Sequence, residues 1–289
     1  MKVNNEPAPL YVAHLPFFES MKTSLEALER VDIAYKPAGL EGALLIEDRA
    51  KFWSLKPERR KLLFAMDLAA QQVVALCRAQ PGQHILEIGS GRGTKSLALA
   101  ANARRLGGFA HILGFDLHDF KTKIAQKAAD EHGVKEARFL TLDVTKHSSA
   151  AQLNEQGIQS SFDTVLVDAP CSGLGTLRRS VDKRWRLSQK DITQLAQLGL
   201  KMLSWAAQFV KPGGTLLFAT CTISHEENQA VVQDFLDSSE GQNFQIEPLS
   251  SSELAPVFAD ALTKEGYLNA LPQSGGPDGH FAARLIRKG

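Results

Sequence analysis

The 289-residue sequence predicts an α/β fold, and three observations lead there. From about residue 83 onward, short apolar runs alternate with longer stretches whose apolar residues recur at helical spacing. A glycine-rich turn follows the first run, and each of the next three runs ends on an aspartate. Strands separated by helices of this length make βαβ units and a parallel sheet. The expected architecture is a doubly wound, mostly parallel, seven-stranded Rossmann-like sheet with a short N-terminal extension.

Taken in order, "HILEIG" at 84–89 is the first strand and the Ala/Leu-rich stretch 94–106 its helix. A second strand at 111–116 leads into a helix over 120–133, ended by Gly133. Strands three and four cover 137–143 and 162–168. Residues 188–210 carry apolar residues at helical spacing behind Ser188 as N-cap. "KPGG" breaks the chain before a fifth strand at 215–220, and 224–236 reads as a helix opening on a capping box of Ser224 and Glu227. Upstream, residues 1–58 read as an irregular arm or small cap rich in Pro, Lys and Glu. An amphipathic helix over 57–80 then leads into the main domain, 59–289. Cys77, among Val73, Val74 and Leu76, is expected to be a buried structural thiol.

Composition bounds the rest. The hydrophobic fraction of 44% supports a sizeable core, and no stretch approaches the ~20 apolar residues of a membrane span. The first twenty residues lack the pattern of a secretory signal. Three cysteines make no disulfide framework and no zinc-site spacing occurs, so a reducing, cytoplasmic setting without metal is expected. With a net charge of +1, any nucleic-acid surface must be a local patch.

"LEIGSGRGTKS" at 86–96 stands after a strand and before a helix, where glycines let backbone approach a ligand. In an open parallel sheet ligands bind beyond the carboxyl ends of the strands. Asp116 is placed to accept two ribose hydroxyls and Asp143 to accept from an adenine amino group. A nicotinamide dinucleotide would ask for a third glycine at 94, where Thr94 stands. The acid-tipped strands and the later cysteines fit S-adenosylmethionine better.

Two of the three cysteines stand just past apolar runs, in "VLVDAPCSGLG" (165–175) and "FATCTISHEENQ" (218–229). The first motif, followed by "TLRRSVDKRW", and "KPGGTLLFATCTISHEENQAVV" resemble the Sun-type RNA (cytosine-5) methyltransferases, from about residue 62 to the closing "GPDGHFAARL" at 276–285. The resemblance implies an S-adenosylmethionine-dependent methyltransferase domain acting on a cytosine in rRNA or tRNA. Carbon 5 of cytosine is a poor nucleophile until a thiolate adds at carbon 6. In the family the Thr-Cys cysteine, here Cys221, is that nucleophile, and the Pro-Cys cysteine, here Cys171, assists product release. Asp168 is implied to hydrogen-bond the ring at N3, being protonated itself or facing a protonated base; a strand-end carboxyl beside a desolvating base could have the raised pKa the first case needs. Cys221 must ionise, with the helix expected from Ser224 as a candidate aid.

The glycine-rich motif departs from the family pattern, with Glu87, Gly89 and Arg92 where it has Asp, Cys and Pro; Gly93 and Lys95 match. The family's lysine lies near the reacting base, which gives Lys95 a catalytic role by implication. Glu87, Gly89, Gly91, Gly93, Lys95, Asp116, Lys121, Asp143 and Asp168 form the expected cofactor set.

Behind the first cysteine loop, Arg178, Arg179, Lys183, Arg184 and Arg186 surround Trp185. The basic residues read as contacts to an RNA loop or single strand, from which the target base is extruded. Trp185 alone reads as a core anchor folded inward. Lys51, Lys56, Arg59, Arg60 and Lys61 add charge to an N-terminal part shorter than the family's usual RNA-holding subdomain. Two rivals remain: a methyltransferase on the same sheet acting on protein or a small molecule, and a non-catalytic RNA-binding protein.

Overall fold

The computed structural model describes residues 2–57, 62–146, 153–154 and 157–289; Arg59, Arg60 and Lys61 lie outside them. The N-terminal part, expected as an irregular arm or small cap, is built from regular elements. Strand β1 (Leu10–His14), helix α1 (Met21–Glu29), strands β2 (Tyr35–Pro37) and β3 (Ala43–Ile46), helix α2 (Arg49–Ser54) and strand β4 (Leu63–Ala65) build an antiparallel sheet in the order β2-β3-β1-β4. Its strands are too short to show a clear alternation in sequence. β1 is buried along its whole length because both its faces are covered. Leu10 and Val12 enter a core of the unit's own with Leu28, Ile46 and Phe52, while Tyr11 and Ala13 pack against the main domain.

The helix expected over 57–80 is shorter. Leu63–Ala65 pairs with β1, and Asp67 then caps helix α3 (Leu68–Leu76) by accepting from the Ala69 N–H at 2.9 Å. Cys77, at its end, is buried as expected.

The main sheet follows the predicted alternation: β5 (His84–Ile88), α4 (Thr94–Arg105), β6 (His111–Asp116), α5 (Asp119–Glu131), β7 (Ala137–Thr141), β8 (Phe162–Asp168), the short helix α6 (Lys183–Arg186), α7 (Gln189–Ala207), β9 (Val210–Thr220), α8 (Gln229–Leu236), β10 (Phe244–Ile246), β11 (Leu268–Ala270) and β12 (His280–Arg287). Among the described residues the strand order is β10-β12-β9-β8-β5-β6-β7, with β11 pairing β12 in line with β10. The sheet is thus seven positions wide. β9, β8, β5, β6 and β7 run parallel and β12 antiparallel to β9. "KPGG" does not break the chain; it lies inside β9, where the pairing with β8 shifts register.

Alternate residues of each strand bury on opposite faces. Ile85, Ile112 and Leu217 join α3 and α4 in one core, while Leu86, Leu113 and Leu216 join α7 in the other. The chain runs outward from β5 to β7 and returns to β8, so a crevice opens where β5 meets β8, beyond the carboxyl ends. No helix among the described residues is long and apolar enough to cross a membrane.

Phe281 anchors the antiparallel strand, fully buried and edge-on to Phe218 and Tyr267. Phe281→Ala is expected to cost about 3–5 kcal/mol in unfolding free energy, read by chemical denaturation.

Candidate active site

Three loops meet at the carboxyl edge of the parallel strands. Gly89, just past β5, lies so close to β8 that a Cβ there would come within 2.3 Å of the Asp168 carbonyl oxygen. Its φ of +82° also favours glycine. That approach brings the glycine-rich turn against Asp168. The Gly91 N–H donates to Asp116 Oδ2 at 3.0 Å, the His118 N–H to Oδ1 at 2.9 Å, and Lys121 Nζ stands 3.6 Å from Oδ1. Asp143 is held by the Thr145 hydroxyl at 2.6 Å and by Lys146 at 3.1 Å. Gly89, Gly91, Lys95, Asp116, Lys121, Asp143, Asp168, Cys171 and Cys221 all line one cavity of about 410 Å³, walled by Phe115, Leu117, Val144 and Met202.

Two residues of the expected cofactor set do not line it. Glu87 is buried beneath the turn and accepts from the Ser96 hydroxyl. Burial raises its carboxyl to about 7, with Lys95 and Ser96 pulling the other way. Gly93 is spent on packing: a Cβ there would come within 2.9 Å of the Ala125 Cβ on α5.

Lys95, on the first turn of α4, reaches Asp168 Oδ2 at 2.6 Å. Burial pulls its ammonium down, but Asp168 and Glu87 outweigh that and hold it above its usual range. Asp168 therefore has a cation against it, a partner its place at a strand end did not reveal.

The sulfurs of Cys171 and Cys221 are 3.4 Å apart. Hydrogen bonding from Cys171 lowers the Cys221 thiol from 9.0 to about 7, against burial and Asp168 and with help from Lys95 and Lys183. Cys171, which keeps the proton, is pushed well up by the same contact and by burial. The expected helix N-terminus at Ser224 is not the cause, because α8 starts at Gln229.

Glu227, read in sequence as a helix cap, turns instead toward the first cysteine loop. Its carboxylate accepts from the Ser172 N–H at 2.6 Å, the Ser172 hydroxyl at 2.5 Å and the Thr222 hydroxyl at 3.1 Å. Beside it, Thr220 donates to Asn228 Oδ1 at 2.5 Å, and Asn228 Nδ2 donates to the Thr222 carbonyl at 3.0 Å. The sequence signal was a small hydroxyl residue directly after each cysteine.

The basic cluster divides. Arg178 has a side chain 0% exposed, bonded to Asp278 at 2.5 Å and to the Gly276 carbonyl at 2.6 Å. Arg179 bridges Asp278 and Asp67, and Arg184 binds Asn4 and Asn5. These three arginines staple the loop to the C-terminal segment and to the N-terminal part. Lys183 and Arg186 stay on α6, with Arg186 3.6 Å from Asp182. Trp185 is 89% exposed, the reverse of the inward anchor expected, because a single-turn helix has no second layer to bury it.

The family described as 16S rRNA methyltransferase RsmB/F matches residues 74–286. Over 286 residues the chain is 32% identical to ribosomal RNA small subunit methyltransferase B of Thermus thermophilus, covering 98% of this chain and 60% of that protein. It is 34% identical over 205 residues to the probable ribosomal RNA small subunit methyltransferase B of Bacillus subtilis, 71% of this chain and 43% of the relative. Among solved structures, PH0851 superposes with a TM-score of 0.83 at 25% identity, over 98% of this chain and 60% of that one. NSun6 of Pyrococcus horikoshii, solved with SFG, has a TM-score of 0.80 at 15% identity over 99% and 92% of the two chains, which shows the fold alone. The chain spans about half the length of the curated relatives it matches.

The thiol pair makes a pH prediction. Alkylation of Cys221 by iodoacetamide should rise with pH around a midpoint near 7, since the thiolate reacts and forms above that pH. Cys171→Ala removes the donor and should move the midpoint upward. Asp278→Asn, which takes the carboxylate from buried Arg178 and one of two from Arg179, should cost about 3–5 kcal/mol of stability in denaturant titration.

Proposed function

Since the chain belongs to the RsmB/F family of 16S rRNA methyltransferases, we propose that it methylates carbon 5 of a cytosine in ribosomal RNA, using S-adenosylmethionine and a covalent adduct at Cys221. The observation that carries the chemistry is the pair of sulfurs 3.4 Å apart beside the Lys95–Asp168 ion pair, on the wall of one cavity.

The donor set of that cavity suits the cofactor. Asp116 offers a carboxylate to vicinal hydroxyls, Asp143 an acceptor, and Phe115, Leu117 and Val144 apolar surface for a purine. When bound, S-adenosylmethionine supplies a methyl group on a sulfonium centre.

The chain's own residues prepare the base. Cys221 adds as thiolate to carbon 6, and the π electrons of the 5,6 bond make carbon 5 nucleophilic. Of the two ways Asp168 could hold N3, its ion pair with Lys95 favours the carboxylate facing a ring protonated at N3. The Lys95 ammonium adds positive charge where the adduct gathers electrons. At release the proton on carbon 5 leaves to water and the bond from carbon 6 to sulfur breaks. Its electrons return to Cys221 as thiolate, and the S–H of Cys171 is in place to stabilise that leaving group. The two thiols thus end as they began.

RNA contact falls to Lys183, Arg186 and the exposed Trp185, which offers a face for an unpaired base. A second cavity of about 330 Å³ lies between the Arg179 loop and the N-terminal sheet, with Arg49, Trp53, Asp67, Asp278 and His280 on its walls.

Incubation with 5-fluorocytosine RNA and cofactor should give a denaturant-stable protein–RNA band that Cys221→Ala abolishes. Cys171→Ala should instead leave protein joined to ordinary RNA on a denaturing gel.

A further inference from the structure

Pairing between β8 and β9 ends with the Ala169 N–H donating to the Ala219 carbonyl at 3.0 Å, and both cysteines lie beyond it. The sheet ladder therefore does not set the distance between the thiols. One direct backbone link crosses the two loops past that point, from the Gly175 N–H to the Cys221 carbonyl at 3.1 Å. The remaining ties are side-chain bonds gathered around Glu227. It holds Ser172, next to Cys171, and Thr222, next to Cys221, and those two hydroxyls touch each other at 2.7 Å. Glu227 is 2% exposed, and among the described residues no cation forms an ion pair with its carboxylate. A buried carboxylate without a counter-ion is stabilised by its hydrogen-bond donors alone, so it holds them in place as firmly as they hold it.

We infer that Glu227 is a positioning residue: it clamps the loops of Cys171 and Cys221 at the separation where one thiol donates to the other. The inference rests on the reading of Cys221 as nucleophile, but the thiol pH profile that decides it needs neither RNA nor cofactor.

The test is the pH profile of iodoacetamide alkylation at Cys221, followed by peptide mass spectrometry in wild type and Glu227→Gln. Two simple roles predict opposite signs. Neutralising a nearby negative charge, by itself, favours the thiolate and lowers the midpoint. Opening the clamp removes the S–H donor and raises it, toward the profile of Cys171→Ala. A raised midpoint is expected, with the rate of adduct formation on 5-fluorocytosine RNA down about tenfold or more, as for a broken buried polar network. An unchanged or lowered midpoint overturns the inference. Should Glu227→Gln fail to fold, Thr222→Val and Thr222→Ser decide: the first should raise the midpoint, the second, which keeps the hydroxyl, should restore it. Equal profiles for those two would also overturn the clamp. If wild type makes no adduct while the midpoint still rises in the variants, the reading of function fails and the clamp stands.

Discussion

Two thiols in hydrogen-bonding contact at the ends of neighbouring parallel strands are an unusual thing for a sheet to hold. Strands lie about 4.8 Å apart, and their loops diverge once pairing stops. Here the divergence is prevented by a buried carboxylate that collects donors from both loops, and the sulfurs stay 3.4 Å apart. The contact divides the labour between two like groups: one sulfur keeps the proton, and the other becomes reactive near neutral pH. Two like groups thus differ in proton affinity through their contact with each other and the charges around them, as coupled titrating pairs do.

The crevice around them is built on acids met by cations: Lys121 faces Asp116, Lys146 faces Asp143, and Lys95, the buried one, faces Asp168. Asp168 stands against it at 2.6 Å, and Glu87 and the Cys221 thiolate add to its field. A buried ammonium among three acidic groups is costly to desolvate and, once paired, costly to remove. Its position follows from the glycine-rich turn: Gly89 lets that turn approach β8, and Gly93 lets α4 start beside α5. Gly93 matches the family pattern, whereas the approach to β8 is made at Gly89, a position where this chain departs from it.

Much of the main domain was legible in the sequence, because a doubly wound sheet advertises itself through alternation, glycine-rich turns and acids at strand ends. Strands 84–88, 111–116 and 162–168 are where their apolar runs put them. The N-terminal sheet was not legible. Its strands of three to five residues carry no readable period, and β1 is apolar on both faces because two cores cover it. Cys171, Cys221, Asp168, Lys95 and Asp116, all named from the sequence, line one cavity. Glu227 was misread because a glutamate three residues after a serine makes a local cap by default, and only the fold brings Ser172 to it. The ion pairs of Arg178 and Arg179 were hidden for the converse reason: their acidic partners, Asp67 and Asp278, are distant in sequence.

The account stands on one covalent bond. Protein trapped on 5-fluorocytosine RNA can be digested with protease and nuclease, and the cysteine peptide carrying the nucleotide identified by mass spectrometry. The modified nucleotide is predicted on the peptide containing Cys221, with Cys171 unmodified. A nucleotide on Cys171, or on neither cysteine, would contradict the mechanism.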